Sequence, residues 1–274
     1  MSLARFKTLV IAVLVSINVF FLAIIVIDNY AKASSERQTL ENVCEILQSN
    51  GISIDQDNIK TNAAIRTMRT SRDTEAEAAA VSALLGQVEM SEQGAIFLYE
   101  NNDRGTAKFS SAGDFEVYLN EGVILSEDSA LKTVSELIHG MKLEAASMAV
   151  SANRDDETVT VLSAYKGMSI FNVTVNFEFI DGSLRAVIGR YLTGIEMVEA
   201  GPAISRISTA LLGFLAAVKS GDIECDHIFG VEAGYQHSGV GPFGEGALVP
   251  SWLLWTDAGR YIIDDITGDI LLRV

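Results

Sequence analysis

The stretch from Leu9 to Ile27, LVIAVLVSINVFFLAIIVI, runs nineteen residues without a charge. At about 1.5 Å per residue, a helix of that length nearly spans the roughly 30 Å hydrocarbon core of a bilayer. Arg5 and Lys7 precede it, so the positive-inside rule puts Met1 in the cytoplasm and everything after Asp28 outside. Ala31-Lys32-Ala33 offers the rival reading of a secretory signal cleaved after Ala33, although signal cores of about 7–15 apolar residues are shorter than this run. The expectation is a short cytoplasmic tail and a single-pass transmembrane anchor over residues 1–33, with an extracytoplasmic chain behind it. Asn18 is the strongly polar side chain in mid-run. An amide in hydrocarbon is costly without a partner, so it should turn toward another helix. Helical spacing puts Ile11, Leu14, Leu22 and Ile25 on the same face as Asn18. That face is the candidate partner-binding surface.

Charge narrows the function classes. The chain carries -16, from 20 basic and 36 acidic residues, and the part after residue 33 carries -18. Such a surface repels phosphate backbones and excludes nucleic acid as a natural partner. A hydrophobic fraction of 49% is that of a folded chain, not a disordered one. Cys44 and Cys225 are too few for a disulfide framework, and spacing leaves their pairing open.

Past the apolar run, three regions are expected. Residues 34–125 read as an N-terminal α+β region. SSERQTLENVCEILQSNG is a helix with Leu40, Val43, Ile46 and Leu47 on its stripe and Gly51 as its stop. Thr74 to Val88 reads as a second helix with Ala76, Ala80 and Leu84 on one face. Hairpin strands follow, punctuated by Asn-Asn-Asp-Arg-Gly and Ser-Ala-Gly-Asp. Residues 126–199 read as one helix, burying Leu131, Val134, Leu137, Ile138 and Met141, followed by a strand meander. Residues 200–274 restart that plan with a helix over 203–219 and four more strands. The fold class expected is α+β, an N-terminal transmembrane helix followed by repeated helix-plus-antiparallel-meander units of PepSY-like type.

No local pattern carries chemistry. The four aspartates of WTDAGRYIIDDITGDILL, at 257, 264, 265 and 269, sit beside glycines where tight turns need acceptors and positive φ. A calcium loop would need alternating oxygen ligands and a closing glutamate, which this stretch lacks. The histidines at 139, 227 and 237 form no metal-ligand spacing, and no nucleophile elbow or phosphate loop occurs. GVGPFGEG lies between strands and reads as a flexible loop. Asn172-Val173-Thr174 matches a glycosylation acceptor inside a strand pattern, where it reads as coincidence. The chain is expected to be no enzyme and to need no cofactor or metal. Trp252 and Trp255, of odd separation, should face opposite sides of one strand.

These pieces in this order resemble the YycH/YycI family of membrane regulators, and YycI more closely. Ser16-Ile17-Asn18-Val19-Phe20-Phe21-Leu22 is similar to the family anchor. AYKGMSIFNVTVNFEF with GRYLTGI, AVKSGDIECDHIFGVEAGY and VPSWLLWTDAGRYIIDDITGDIL resemble its successive strands. The resemblance covers the anchor and about residues 120–274, and residues 52–120 match in layout alone. It implies a membrane-anchored extracytoplasmic protein that modulates a two-component sensor histidine kinase, WalK or YycG, controlling cell-wall metabolism. A sister YycH-like regulator is the implied second partner. The alternative from another class is a PepSY-like protease inhibitor or ligand-binding module at the cell surface.

Overall fold

The computed structural model describes residues 18, 20–22, 34–60, 65–126, 129–153, 156–198, 204, 206–239 and 245–273. Among the described residues, four α-helices pack on the sheets. α1 covers 34–49, α2 Thr74–Leu85, α3 Ala130–Gly140 and α4 Ile207–Ser220. Their ends follow local chemistry. The Asp73 carboxylate accepts from the Glu75 and Ala76 amides, and the Ser129 hydroxyl accepts from that of Lys132, which satisfies amides the first turn leaves unpaired. Gly51 and Gly221, at φ 88° and 82°, end α1 and α4 in the left-handed region that favours glycine.

Early short strands are β1 Ser53–Ile54, β2 Ile59–Lys60 and β3 Met68–Thr70. Then come β4 Glu89–Gln93, β5 Ile96–Asn101, β6 Gly105–Ser110 and β7 Asp114–Leu119. The middle of the chain supplies β8 Ala145–Asn153, β9 Asp156–Tyr165, β10 Met168–Ile180, β11 Ser183–Arg190 and the two-residue β12 Glu196–Met197. The last strands are β13 His227–Ser238, β14 Gly246–Thr256, β15 Gly259–Asp264 and β16 Ile270–Arg273.

Eight of these make a wide antiparallel sheet in the order β8-β9-β10-β11-β7-β6-β5-β4. Its inward residues, among them Tyr99, Phe109, Phe115, Val159, Val161, Phe177 and Val187, meet α2 and α3 in one core. β13 to β16 make a narrower antiparallel sheet. α1 and α4 share its core, which holds Val43, Cys44, Leu47, Leu211, Phe214, Ile228, Trp252 and Leu254.

The expected architecture of repeated helix-plus-antiparallel-meander units is overturned. The described strands form one sixteen-stranded mixed sheet, not separate antiparallel units. β10 is the reason. It is thirteen residues long, and its register against β9 breaks between Ser169 and Thr174. Met168 and Ser169 still pair with β9, but within the break Ile170 pairs in parallel with Tyr235 of β13. β1 and β2 also join β13 in parallel. Alternating hydrophobicity reports which face of a strand is buried but not which strand lies beside it. Among the described residues no helix is long and apolar enough to cross a membrane. Most of the run Leu9–Ile27 lies outside those residues, as does most of GVGPFGEG.

Two smaller expectations also fail. Ile46 is exposed while Cys44 takes its place on the buried stripe of α1, and Leu131 is exposed on α3. Both side chains lie a step to the side of the helical stripe that meets the sheet.

Candidate functional site

Of the face expected to bind a partner, Asn18 and Leu22 are described; both are helical and exposed. Ile11, Leu14 and Ile25 lie outside the described residues. The carboxyl-terminal aspartates are turn chemistry. The Asp264 carboxylate accepts from the Ile266 and Thr267 amides, and Asp269 accepts from the Thr267 hydroxyl. Asp257 does more, because its carboxylate accepts from the Asp226 and His227 amides and ties the entrance of β13 to the β14–β15 turn.

The polar chemistry that the fold does gather lies where the wide sheet meets β13. Strict alternation along β6 and β7 buries Ala107, Phe109, Phe115 and Val117 and turns Lys108, Ser110, Asp114 and Glu116 to the opposite face. There they line a cleft of about 430 Å³ with Asn172, Thr174 and Arg190. Its charges are balanced across strands. Lys108 stands directly opposite Glu116, and Arg190 opposite Asp114. The Arg190 guanidinium reaches the Asp114 carboxylate at 2.7–2.8 Å.

Behind Arg190 lies His237, 6% exposed. Arg190 has only donors, so at 3.3 Å it fixes Nδ1 of His237 as an acceptor. The proton then sits on Nε2, 3.5 Å from the Thr70 hydroxyl. Burial, followed by the Arg190 charge, lowers the imidazole's pKa from its usual value, and Asp114 opposes that shift. The strand holding His237 is clamped by Asn172. Its amide donates to the His237 carbonyl and accepts from the His237 amide, both at 2.8 Å. Asn172 is thereby an inter-sheet tie, in keeping with a coincidental glycosylation match.

A narrow crevice continues from His237 to a buried ion pair. Arg72 grips Glu77 with two bonds of 2.7 and 2.8 Å, and its guanidinium lies 3.9 Å from the centre of the Phe97 ring. The Glu77 side chain is 1% exposed. Burial raises its pKa more than the Arg72 bond and charge lower it, and Asp73 adds to the rise. A second groove, of about 400 Å³, separates the two cores on the helix side. Leu143, Tyr165, Ile170, Tyr191 and Ile195 line it, and Glu144 holds the β9–β10 turn by accepting from the Lys166 and Gly167 amides.

Neither cysteine is poised to react. Both are buried and outside any disulfide. Burial and then Asp257 push the Cys225 thiol up to about 12, while burial and then Glu41 raise Cys44. A protonated thiol is a poor nucleophile. The cleft residues were individually visible as polar positions in strands. What sequence reasoning missed was their convergence, since only the β10–β13 pairing brings His237 to Arg190.

No family model and no curated protein matches the chain. Among solved structures, an uncharacterized protein from Eubacterium rectale ATCC 33656 is similar at 8% identity with a TM-score of 0.50. That match covers 81% of this chain and 90% of the other, and it shows a shared fold. The YpeB C-terminal domain of Bacillus megaterium aligns at 10% identity over 75% of this chain and 100% of that one, with a TM-score of 0.38. A score that low carries no argument about this chain.

Proposed function

We propose that the chain is a non-catalytic regulatory protein, held at the cell membrane by its apolar amino-terminal run, whose extracytoplasmic part modulates a sensor histidine kinase. The observation that carries this reading is the nineteen-residue uncharged run, followed by a folded acidic chain of charge -18. The site chemistry is compatible with it. The cleft's cations already face carboxylates, its imidazole is buried with both nitrogens engaged, and the thiols are held protonated. Such a charge-balanced, contoured surface suits recognition of a protein segment better than proton transfer. The family resemblance supplies the kinase and the sister regulator as partners. The face of Ile11, Leu14, Asn18, Leu22 and Ile25 is the proposed contact near the membrane.

The test is co-purification of the full chain from detergent-solubilised membranes, paired with deletion of the gene. Recovery of a histidine kinase with altered levels of its target transcripts is the expected result. Unchanged transcripts would sink the proposal, and recovery of a protease instead would favour the inhibitor reading. Replacing Asn18 by Leu should weaken kinase recovery while leaving the protein in the membrane fraction.

A further inference from the structure

The two edges of the wide sheet are built differently. At one end β4, EMSEQ, carries two glutamates in five residues. Charges of this kind discourage a neighbouring chain from adding a strand. At the other end β8, AASMAVSAN, runs nine residues with no charge and no proline. Among the described residues it pairs with β9 alone, and every residue from 146 to 153 is exposed. In a chain of charge -16 a neutral strand of this length is conspicuous. It leaves a row of backbone donors and acceptors without the usual protection.

The sequence of β8 says what would cover it. About Ala149 the strand reads nearly the same in both directions. Met148 mirrors Val150, Ser147 mirrors Ser151, and Ala146 mirrors Ala152. In an antiparallel pair related by a two-fold axis through Ala149, like therefore meets like at each position. Faces match as well. Met148 and Val150 stand opposite Val161 and Val159 of β9, which belong to the helix-side core. They extend that apolar face outward yet remain 36% and 46% exposed. Ser147, Ala149 and Ser151 lie on the opposite side.

We propose that β8 is a self-association edge. Two copies of the chain pair β8 to β8 antiparallel about Ala149, joining their wide sheets into one and closing a Met148–Val150 strip across the axis. An interface of this kind is isologous and closes at two copies. Nine residues span only about 30 Å, so the contact is narrow and its strength depends on concentration. Cross-linking is accordingly the decisive readout.

The experiment uses the full chain in detergent with single cysteines introduced at exposed positions, since Cys44 and Cys225 are buried. Mild oxidation of Ala149→Cys should give a covalent dimer on a non-reducing gel. Ser147→Cys and Ser151→Cys should cross-link when mixed and poorly when alone. Glu92→Cys, on β4, should stay monomeric. Adding Val150→Lys to Ala149→Cys should cut the dimer yield at least tenfold, with an unchanged far-ultraviolet spectrum showing that the fold survives. A monomeric Ala149→Cys, equal linking at Glu92→Cys, or linking only to a different protein would each overturn the proposal.

Discussion

Arg190 donates to Nδ1 of His237 at 3.3 Å across the junction of the two sheets, so burial and, after it, a permanent cation favour the neutral imidazole. The groups facing it are Arg190, Asp114, Thr70 and, along the same crevice, Glu245. Its pKa in the folded chain lies below the ordinary 6.5, so protons bind the unfolded chain more readily. The stability it contributes is full above about 6.5 and is lost as pH falls through the folded value. Urea midpoints measured from pH 8 to pH 5 should decline in the wild type and decline less in His237→Gln. An unchanged slope in the variant would place the acid sensitivity elsewhere.

The Arg72–Glu77 pair predicts a non-additive pair of mutations. Removing Arg72 leaves a carboxylate that is 1% exposed without its cation. Breaking such a pair costs about 3–5 kcal/mol, whereas replacing both partners by apolar residues is far milder. Arg72→Met should therefore be severely destabilising by chemical denaturation, and Arg72→Met with Glu77→Met should recover most of the loss. Similar losses for the single and double variants would show that packing on Phe97, not charge, is what Arg72 provides.

Two glycines should respond to alanine with opposite signs. A Cβ on Gly234 would sit 2.4 Å from Cζ of Phe171 and 2.6 Å from the Ser169 carbonyl oxygen. The second neighbour is backbone and cannot swing aside, so Gly234→Ala should cost about 1–3 kcal/mol by prising β10 from β13. Gly213, on the exposed side of α4, has nothing within 4 Å of its Cβ position. There Gly213→Ala should stabilise by about 0.5–1 kcal/mol through the unfolded chain's lost freedom. Thermal melts of the two variants shifting in the same direction would contradict this.

Trp252 is 2% exposed in the α1–α4 core, while Trp255 lies half-buried on the other face of β14 beside Phe171, Leu253 and Ile262. Acrylamide, unlike iodide, is not repelled by an acidic protein. It should quench Trp252→Phe, which keeps Trp255, more strongly than Trp255→Phe, which keeps Trp252. Equal quenching would mean that the second face is as closed as the first.

Local features of the fold were legible because they are encoded locally. The stop at Gly51, the Asp264 turn and the odd parity of Trp252 and Trp255 each depend on residues a few positions apart. The partnering of elements was not. Nothing in SSERQTLENVCEILQSNG announces that Val43 and Leu47 pack with Phe214, some 170 residues on. Nor does the alternation of β10 reveal that Ile170 belongs beside Tyr235. The cleft was illegible for the same reason. Lys108, Asp114 and Glu116 look like a solvated strand face, and only the pairing of distant strands turns that face into a concave surface.

The placement of α1 bears on how the chain reaches this structure. Its core draws on residues 43–54 and then on residues 207–263, with only Ile65, Met68, Ile170 and Val173 between as fully buried members. The α2–α3 core draws on residues 80–191, apart from the stretch of β10 at Ile170, Phe171 and Val173. The chain is thus a discontinuous body with a nearly continuous one inserted into it. During synthesis the insert can close as soon as β11 emerges, whereas α1 must wait, its apolar stripe uncovered, until nearly the last strand is made. Long waits before distant contacts form are where folding is slow and self-association begins. α1 is made before the strands that cover it and is among the last elements to be buried.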